Sequence, residues 1–239
     1  MIRAVLFDLD DTLFDHQGCA RDALAAVQQS HEVLRAMPFE ALERAHAGFL
    51  EALHGEVMLG RLPLEDARIE RFRRLLLAAG GDGRPDLATP LASMYRETYR
   101  TRRRAVAGAA ALLAAIRPRA RIGIVSNNLL DEQQEKLQVC GLDQFVDTLV
   151  VSEEAQVSKP DPRIFRVALE RLEIHPADAV MVGDSWTADV EGARAAGIRA
   201  IWFNPAGAPV PDASVDVEQL RTLEPVEPVM RLILEPHRH

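Results

Sequence analysis

Cysteine is scarce in this 239-residue chain: Cys19 and Cys140 are the whole supply. Two isolated thiols build neither a disulfide framework nor a cysteine metal site, and they fit a reducing, cytoplasmic setting. Long apolar runs are missing too. The opening MIRAVLFDLDD is too short an apolar run for a signal peptide, and no stretch reaches membrane-spanning length without charge. There is no surplus of positive charge, since 28 Lys and Arg face 36 Asp and Glu for a net charge of −8. That balance argues against a nucleic-acid surface or an anionic-membrane surface, and it leaves room for a small anion in one local pocket. Lysine itself is nearly absent: 26 of the 28 basic residues are arginine, and only Lys136 and Lys159 are not. Internal repeats are absent, and the one compositional bias is toward alanine.

What is present reads as an ordinary globular chain, 48% apolar and 27% charged, long enough for one large domain or two modest ones. One stretch stands out near the start. VLFDLDDTLFDH, residues 5–16, sets Asp8 into an apolar run and follows it with Asp10, Asp11, Thr12 and Asp15. A buried carboxylate is costly unless it is paired, hydrogen-bonded or bound to a cation, so the placement calls for a partner.

Residues 3–9 have the short apolar run of a buried strand. From residue 16 to about 104 the spacing is helical throughout, with Pro38 and Pro63 near helix starts and Gly80 at a helix end. After about 105 helices and strands alternate. Strands are expected at 121–125, 148–151, 179–182 and in RAIWFN, with Gly141 and Gly197 ending helices between them. TADVEGARAAG reads as one helix, and the Pro-rich tail holds a short strand near Val215 and a last helix around 226–234. Strand–helix alternation implies a doubly wound parallel α/β sheet. The expected organisation is an α/β core of residues 1–15 and 105–239, with an all-α cap of residues 16–104 inserted after the first strand.

Open parallel sheets bind ligands beyond the carboxyl ends of their strands. There this chain places Asp8, Asp10 and Thr12; Ser126, Asn127 and Asn128; Ser158 and Lys159; and Asp184, with Asp189 a helical turn later. One such cluster would read as turn and cap residues. Four at one sheet edge suit Mg2+ and phosphate instead. Magnesium takes hard oxygen ligands. A phosphoryl group needs donors and a cation on its outer oxygens, here Ser126, Lys159 and amides near Asp10 and Asn127. An aspartate then serves as nucleophile. Thr12 and Asn128 read as structural, Trp186 as packing, and His16, His31, His46 and His54 as ordinary positions.

DLDDT, SNN, SKPDPRIF and GDSWTADVEGA together resemble the four ordered motifs of the haloacid dehalogenase (HAD) superfamily, and the helical insertion resembles its C1-type cap. The resemblance implies Asp8 as nucleophile and Asp10 as general acid/base. It implies Ser126 and Lys159, with Asn127, as phosphate-binding residues. It also implies Mg2+ held by Asp8, Asp184 and the Asp10 backbone carbonyl, with Asp189 supporting the metal or its water. The dehalogenases of the family look different at the position of Asp10. A phosphatase needs that acid/base, so the expected activity is Mg2+-dependent hydrolysis of a small phosphorylated metabolite, such as a nucleotide or sugar phosphate, through an aspartyl-phosphate. A phosphomutase shares both aspartates. A receiver-type switch would draw its phospho-accepting aspartate from a middle strand and has no room for the insertion.

Overall fold

The structure is a computed structural model and describes residues 1–212 and 214–235. It divides into two compact units, Met1–Asp15 with Arg104 onward, and His16–Arg103. Arg104 stays with the first unit, where its Nε donates to Asp15 Oδ2 at 2.7 Å.

The first unit is a six-stranded, all-parallel sheet in the order β3-β2-β1-β4-β5-β6. Its strands are β1 (Ala4–Phe7), β2 (Arg121–Ser126), β3 (Thr148–Val151), β4 (Ala179–Gly183), β5 (Arg199–Phe203) and β6 (Glu218–Leu220). AVLF in β1 and AVMVG in β4 are buried at every position, as a sheet covered on both faces requires. One of those faces carries Leu6, Val125, Val150, Phe165, Met181 and Trp202 in a single apolar cluster. The first strand is shorter than the apolar run 3–9, and Asp8 lies just beyond it. Its N–H still donates to Val182 O at 2.9 Å, so the ladder continues one step and fixes the Asp8 backbone.

The tail strand falls at Glu218–Leu220 and not near Val215. Val215 N–H closes a turn onto Asp212 O at 3.1 Å, and Asp212 Oδ1 also accepts from Ser214 N–H at 2.9 Å, so pairing starts only after that turn.

Before α6 (Ala109–Ile116) comes the second unit, built from α1 (His16–Ser30), α2 (Glu32–Arg35), α3 (Phe39–Met58), α4 (Leu64–Ala78) and α5 (Pro85–Thr101). Pro38 and Pro63 stand at the N-caps of α3 and α4, and Pro85 is the first residue of α5, where a missing N–H removes no helical bond. Leu24, Val27, Leu42, Leu53, Phe72, Leu75, Leu76 and Leu91 form its buried stripe. Both tyrosines of the chain join it: Tyr95 lies 4.8 Å from the His46 ring and 5.3 Å from Phe72. His46 is a core histidine; burial, then Arg71, hold its pKa well below the ordinary value. The remaining helices, α7 (Leu130–Val139), α8 (Ser152–Ala155), α9 (Pro162–Leu172), α10 (Gly192–Ala195) and α11 (Val226–Leu234), belong to the sheet unit. Gly80, Gly141 and Gly197, read as helix ends, all take positive φ (80°, 65° and 78°). No helix among the described residues is long and apolar enough to cross a membrane.

Candidate active site

Asp8 follows the central strand, and the chain then folds into a tight loop. The N–H groups of Thr12, Leu13 and Phe14 all point to Leu9 O, at 3.3, 3.0 and 2.9 Å. Asp11 sits inside this loop at φ 62°, a left-handed conformation open to aspartate. Thr12 reaches across to β4. Its Oγ1 accepts from Asp184 N–H at 3.1 Å and donates to Asp184 Oδ1 at 3.4 Å, so the threonine orients one acid of the site. Trp202 holds the same residue from the other side, its Nε1–H donating to Asp184 O at 2.8 Å.

Lys159 is the hub of the acidic side. Its Nζ donates to Asp8 Oδ1 at 2.5 Å and to Asp189 Oδ1 at 2.6 Å, with all three side chains buried. Asn127 keeps the lysine in place: its Oδ1 accepts from Lys159 N–H at 2.7 Å and its Nδ2 donates to Lys159 O at 2.9 Å. The Asn127 carboxamide, expected to face phosphate, therefore clamps the loop that carries the cation. Asp189 Oδ2 accepts from Ser185 N–H at 3.0 Å.

The motif read as one helix begins instead as a π-helical stretch, Trp186–Glu191, and only then becomes α10. Such wide turns gather at functional sites, and this one turns Asp189 back toward Gly183. A Cβ at Gly183 would stand 2.3 Å from Asp189 Oδ2, so only glycine admits the carboxylate there. Trp186 packs edge-to-face on Trp202, with ring centroids 5.2 Å apart.

Asp10 faces a different set of partners. Lys136 Nζ donates to its Oδ1 at 2.6 Å and to its Oδ2 at 2.8 Å. Gln133 Nε2 donates to Oδ2 at 3.0 Å and to Ser126 Oγ at 2.5 Å, and Asn128 Nδ2 donates to Oδ2 at 3.3 Å. Lys136 and Gln133 come from α7 and carry no recognised motif, so the sequence reading passed over both. The available signal was the near-absence of lysine: both lysines of the chain stand in this site.

Asp8, Asp184 and Asp189 bring one carboxylate oxygen each within 4.8 Å of one another, and the Asp10 carboxylate lies outside that trio. Burial raises the Asp8 pKa well above the usual carboxylate range. Lys159 pulls it back, while Asp189 and Asp184 push it further up. Burial and the Asp189 charge push Asp184 up to about 7. Burial opposes the ammonium of Lys159, but Asp189 and Asp8 outweigh it and raise that pKa above its ordinary value. Fully ionised, three carboxylates against one ammonium would carry two excess negative charges, and the upward shifts reflect that excess. The hard-oxygen donor set and the upward shifts both fit a divalent cation such as Mg2+.

Residues 2–197 match a family described as haloacid dehalogenase-like hydrolase. The chain belongs to that family. Among curated HAD relatives, the phosphoserine phosphatase of Thermus thermophilus is 35% identical over 241 residues, covering 90% of this chain and 94% of its own. The ribulose-1,5-bisphosphate 5-phosphatase of Halopiger xanaduensis is 32% identical over 209 residues, covering 86% of each. A solved HAD hydrolase, YfnB of Bacillus subtilis, bound to magnesium and showing interdomain movement, is 25% identical with a TM-score of 0.75, covering 98% of this chain and 99% of that one. The ordered motifs quoted above thus carried a true family resemblance, and the parallel sheet is the HAD core.

Proposed function

We propose that this HAD hydrolase is a Mg2+-dependent phosphatase that cleaves a small phosphorylated metabolite through an aspartyl-phosphate on Asp8. The carrying observation is that Asp8 and Asp10, two residues apart, sit in different electrostatic settings. Asp8 faces Lys159 within a cluster short of positive charge, and Asp10 is held by a second lysine. Two carboxylates in separate environments can take two roles. The phosphatase names of the curated relatives support the same reading.

An oxygen of Asp8 attacks phosphorus while Asp10 gives its proton to the departing alkoxide, so that an alcohol leaves. Asp10 then takes a proton from the water that attacks the phosphoryl group, releasing inorganic phosphate and restoring Asp8. Ser126, Lys159 and backbone N–H groups near Asp10 and Asn127 hold the outer phosphate oxygens. Mg2+ held by Asp8, Asp184 and the Asp10 backbone carbonyl would offset repulsion between carboxylate and phosphate. Asp189, already bonded to Lys159 and Ser185, supports that arrangement without direct ligation. These groups recognise only phosphoryl and metal, so we assign the choice of metabolite to the helical unit. The two cysteines, both free, support a reducing cytoplasm as its setting.

The test is p-nitrophenyl phosphate hydrolysis with Mg2+ and with excess chelator. Turnover that needs the divalent ion supports the reading. Equal rates in chelator overturn it.

A further inference from the structure

The pair of residues on α7 that grips Asp10 has no place in the motifs. Gln133 and Lys136 lie three positions apart on one helical face, and both are fully enclosed. A buried lysine is unfavourable unless its charge is met, and here one carboxylate meets it through both oxygens, at 2.6 and 2.8 Å. The ammonium also lies 5.2 Å from the centroid of the Phe14 ring, at the end of the loop that carries Asp10. Gln133 extends the grip, since one Nε2 serves both Asp10 Oδ2 and Ser126 Oγ. The proton-transferring carboxylate and the phosphate-binding hydroxyl thus share a single donor. Apart from Lys159, the acids of this chain are met with arginine, as at Glu43, Glu70 and Asp161. A guanidinium is a planar fork, whereas the ammonium placed here beside Phe14 is a compact point charge.

We propose that Lys136 and Gln133 are positioning residues for the chemistry. Lys136 fixes the Asp10 carboxylate where the leaving oxygen must receive its proton, and Gln133 keeps Asp10 and Ser126 at a set separation. This rests on the phosphatase reading, in which Asp10 is the acid/base. Lys136 is neither donor nor acceptor of a transferred proton in this step. One proton passes from Asp10 to the leaving alcohol and one returns to Asp10 from the attacking water.

The readout is dependence on the leaving group. p-Nitrophenolate departs as a stable anion and gains little from protonation, whereas the more basic phenolate of phenyl phosphate gains much. With the full-length protein and Mg2+, Lys136→Met is expected to lower kcat on phenyl phosphate by about 10²-fold, the lower end of what general acid catalysis contributes, and on p-nitrophenyl phosphate by less than about tenfold. Gln133→Leu is expected to show the same bias together with a raised KM, because Ser126 loses its partner. On an Asp10→Asn background, Lys136→Met is expected to add less than about threefold, since the residue acts through Asp10. An equal loss on both substrates, or full additivity with Asp10→Asn, overturns the proposal and leaves the phosphatase reading standing. A wild-type protein that hydrolyses neither ester with Mg2+ overturns both. If Lys136→Met does not fold, Gln133→Leu alone decides by the same ratio.

Discussion

Replacing Lys159 with methionine tests how the acidic side is held together. Methionine keeps much of the side-chain length, and the Asn127 clamp engages only backbone atoms of residue 159, so the loop retains both of those bonds. What disappears is the ammonium between two buried carboxylates, at 2.5 Å from Asp8 and 2.6 Å from Asp189. Removing one partner of a buried ion pair costs about 3–5 kcal/mol. For a fold of this size each kcal/mol moves the melting temperature by about 2–4 °C, so the expected loss is about 6–20 °C. The loss depends on pH. Asp8 keeps its proton in the fold at pH values where an unfolded aspartate, with pKa near 3.8, has lost it, so the ionised form disfavours the folded state. Without Lys159 that pKa rises further. The deficit of the variant is therefore largest near pH 8 and shrinks toward pH 5 as the carboxylates take up protons. Saturating Mg2+ at pH 8 recovers part of it by restoring positive charge. Scanning calorimetry of both proteins at the two pH values, with and without Mg2+, measures all of this. A deficit below about 1 kcal/mol that is the same at pH 5 and pH 8 would refute the charge argument.

Three further outcomes are expected. Gly183→Ala places a methyl group 2.3 Å from Asp189 Oδ2, so Asp189 must move; the fold should lose about 1–3 kcal/mol and Mg2+ affinity should fall, as read by calorimetry and titration. Asp184 is pushed up to about 7 and Asp8 is raised as well, so Mg2+ affinity should drop by at least about tenfold per pH unit below 7; a flat profile between pH 5.5 and 7 refutes this. Asp8→Asn should abolish phosphoenzyme, Asp10→Asn should lower turnover about 10²–10⁴-fold with Mg2+ binding retained, and Asp184→Asn should weaken Mg2+ and be partly restored by excess metal. Metal titration separates the last two, and equal loss of affinity in both contradicts the assigned roles.

Much of the site was legible because a parallel sheet gathers strand ends along one edge. Asp8, Ser126 and Asp184 each close a short apolar run, and Lys159 lies in the connection after another, so the sequence locates them without coordinates. Lys136 and Gln133 were not legible in that way, since they project from the middle of a polar helix and gain meaning only when α7 lies beside the Asp10 loop. Asn127 and Thr12 were found, but their partners were not: hydrogen bonds to Lys159 and Asp184 join residues 32 and 172 positions apart. The π-helical turn escaped for another reason. Its residues have helical spacing, and the widened turn depends on an unbranched Gly183 standing opposite Asp189.

The confinement of both lysines has a practical consequence. Lys136 and Lys159 are 3% and 6% exposed, and both ammoniums are locked in ion pairs. An amine-acylating reagent therefore finds neither lysine ammonium open on the folded chain, and both once the chain unfolds. Peptide mass spectrometry of acylation at the two lysines then tells whether they were enclosed when the reagent arrived.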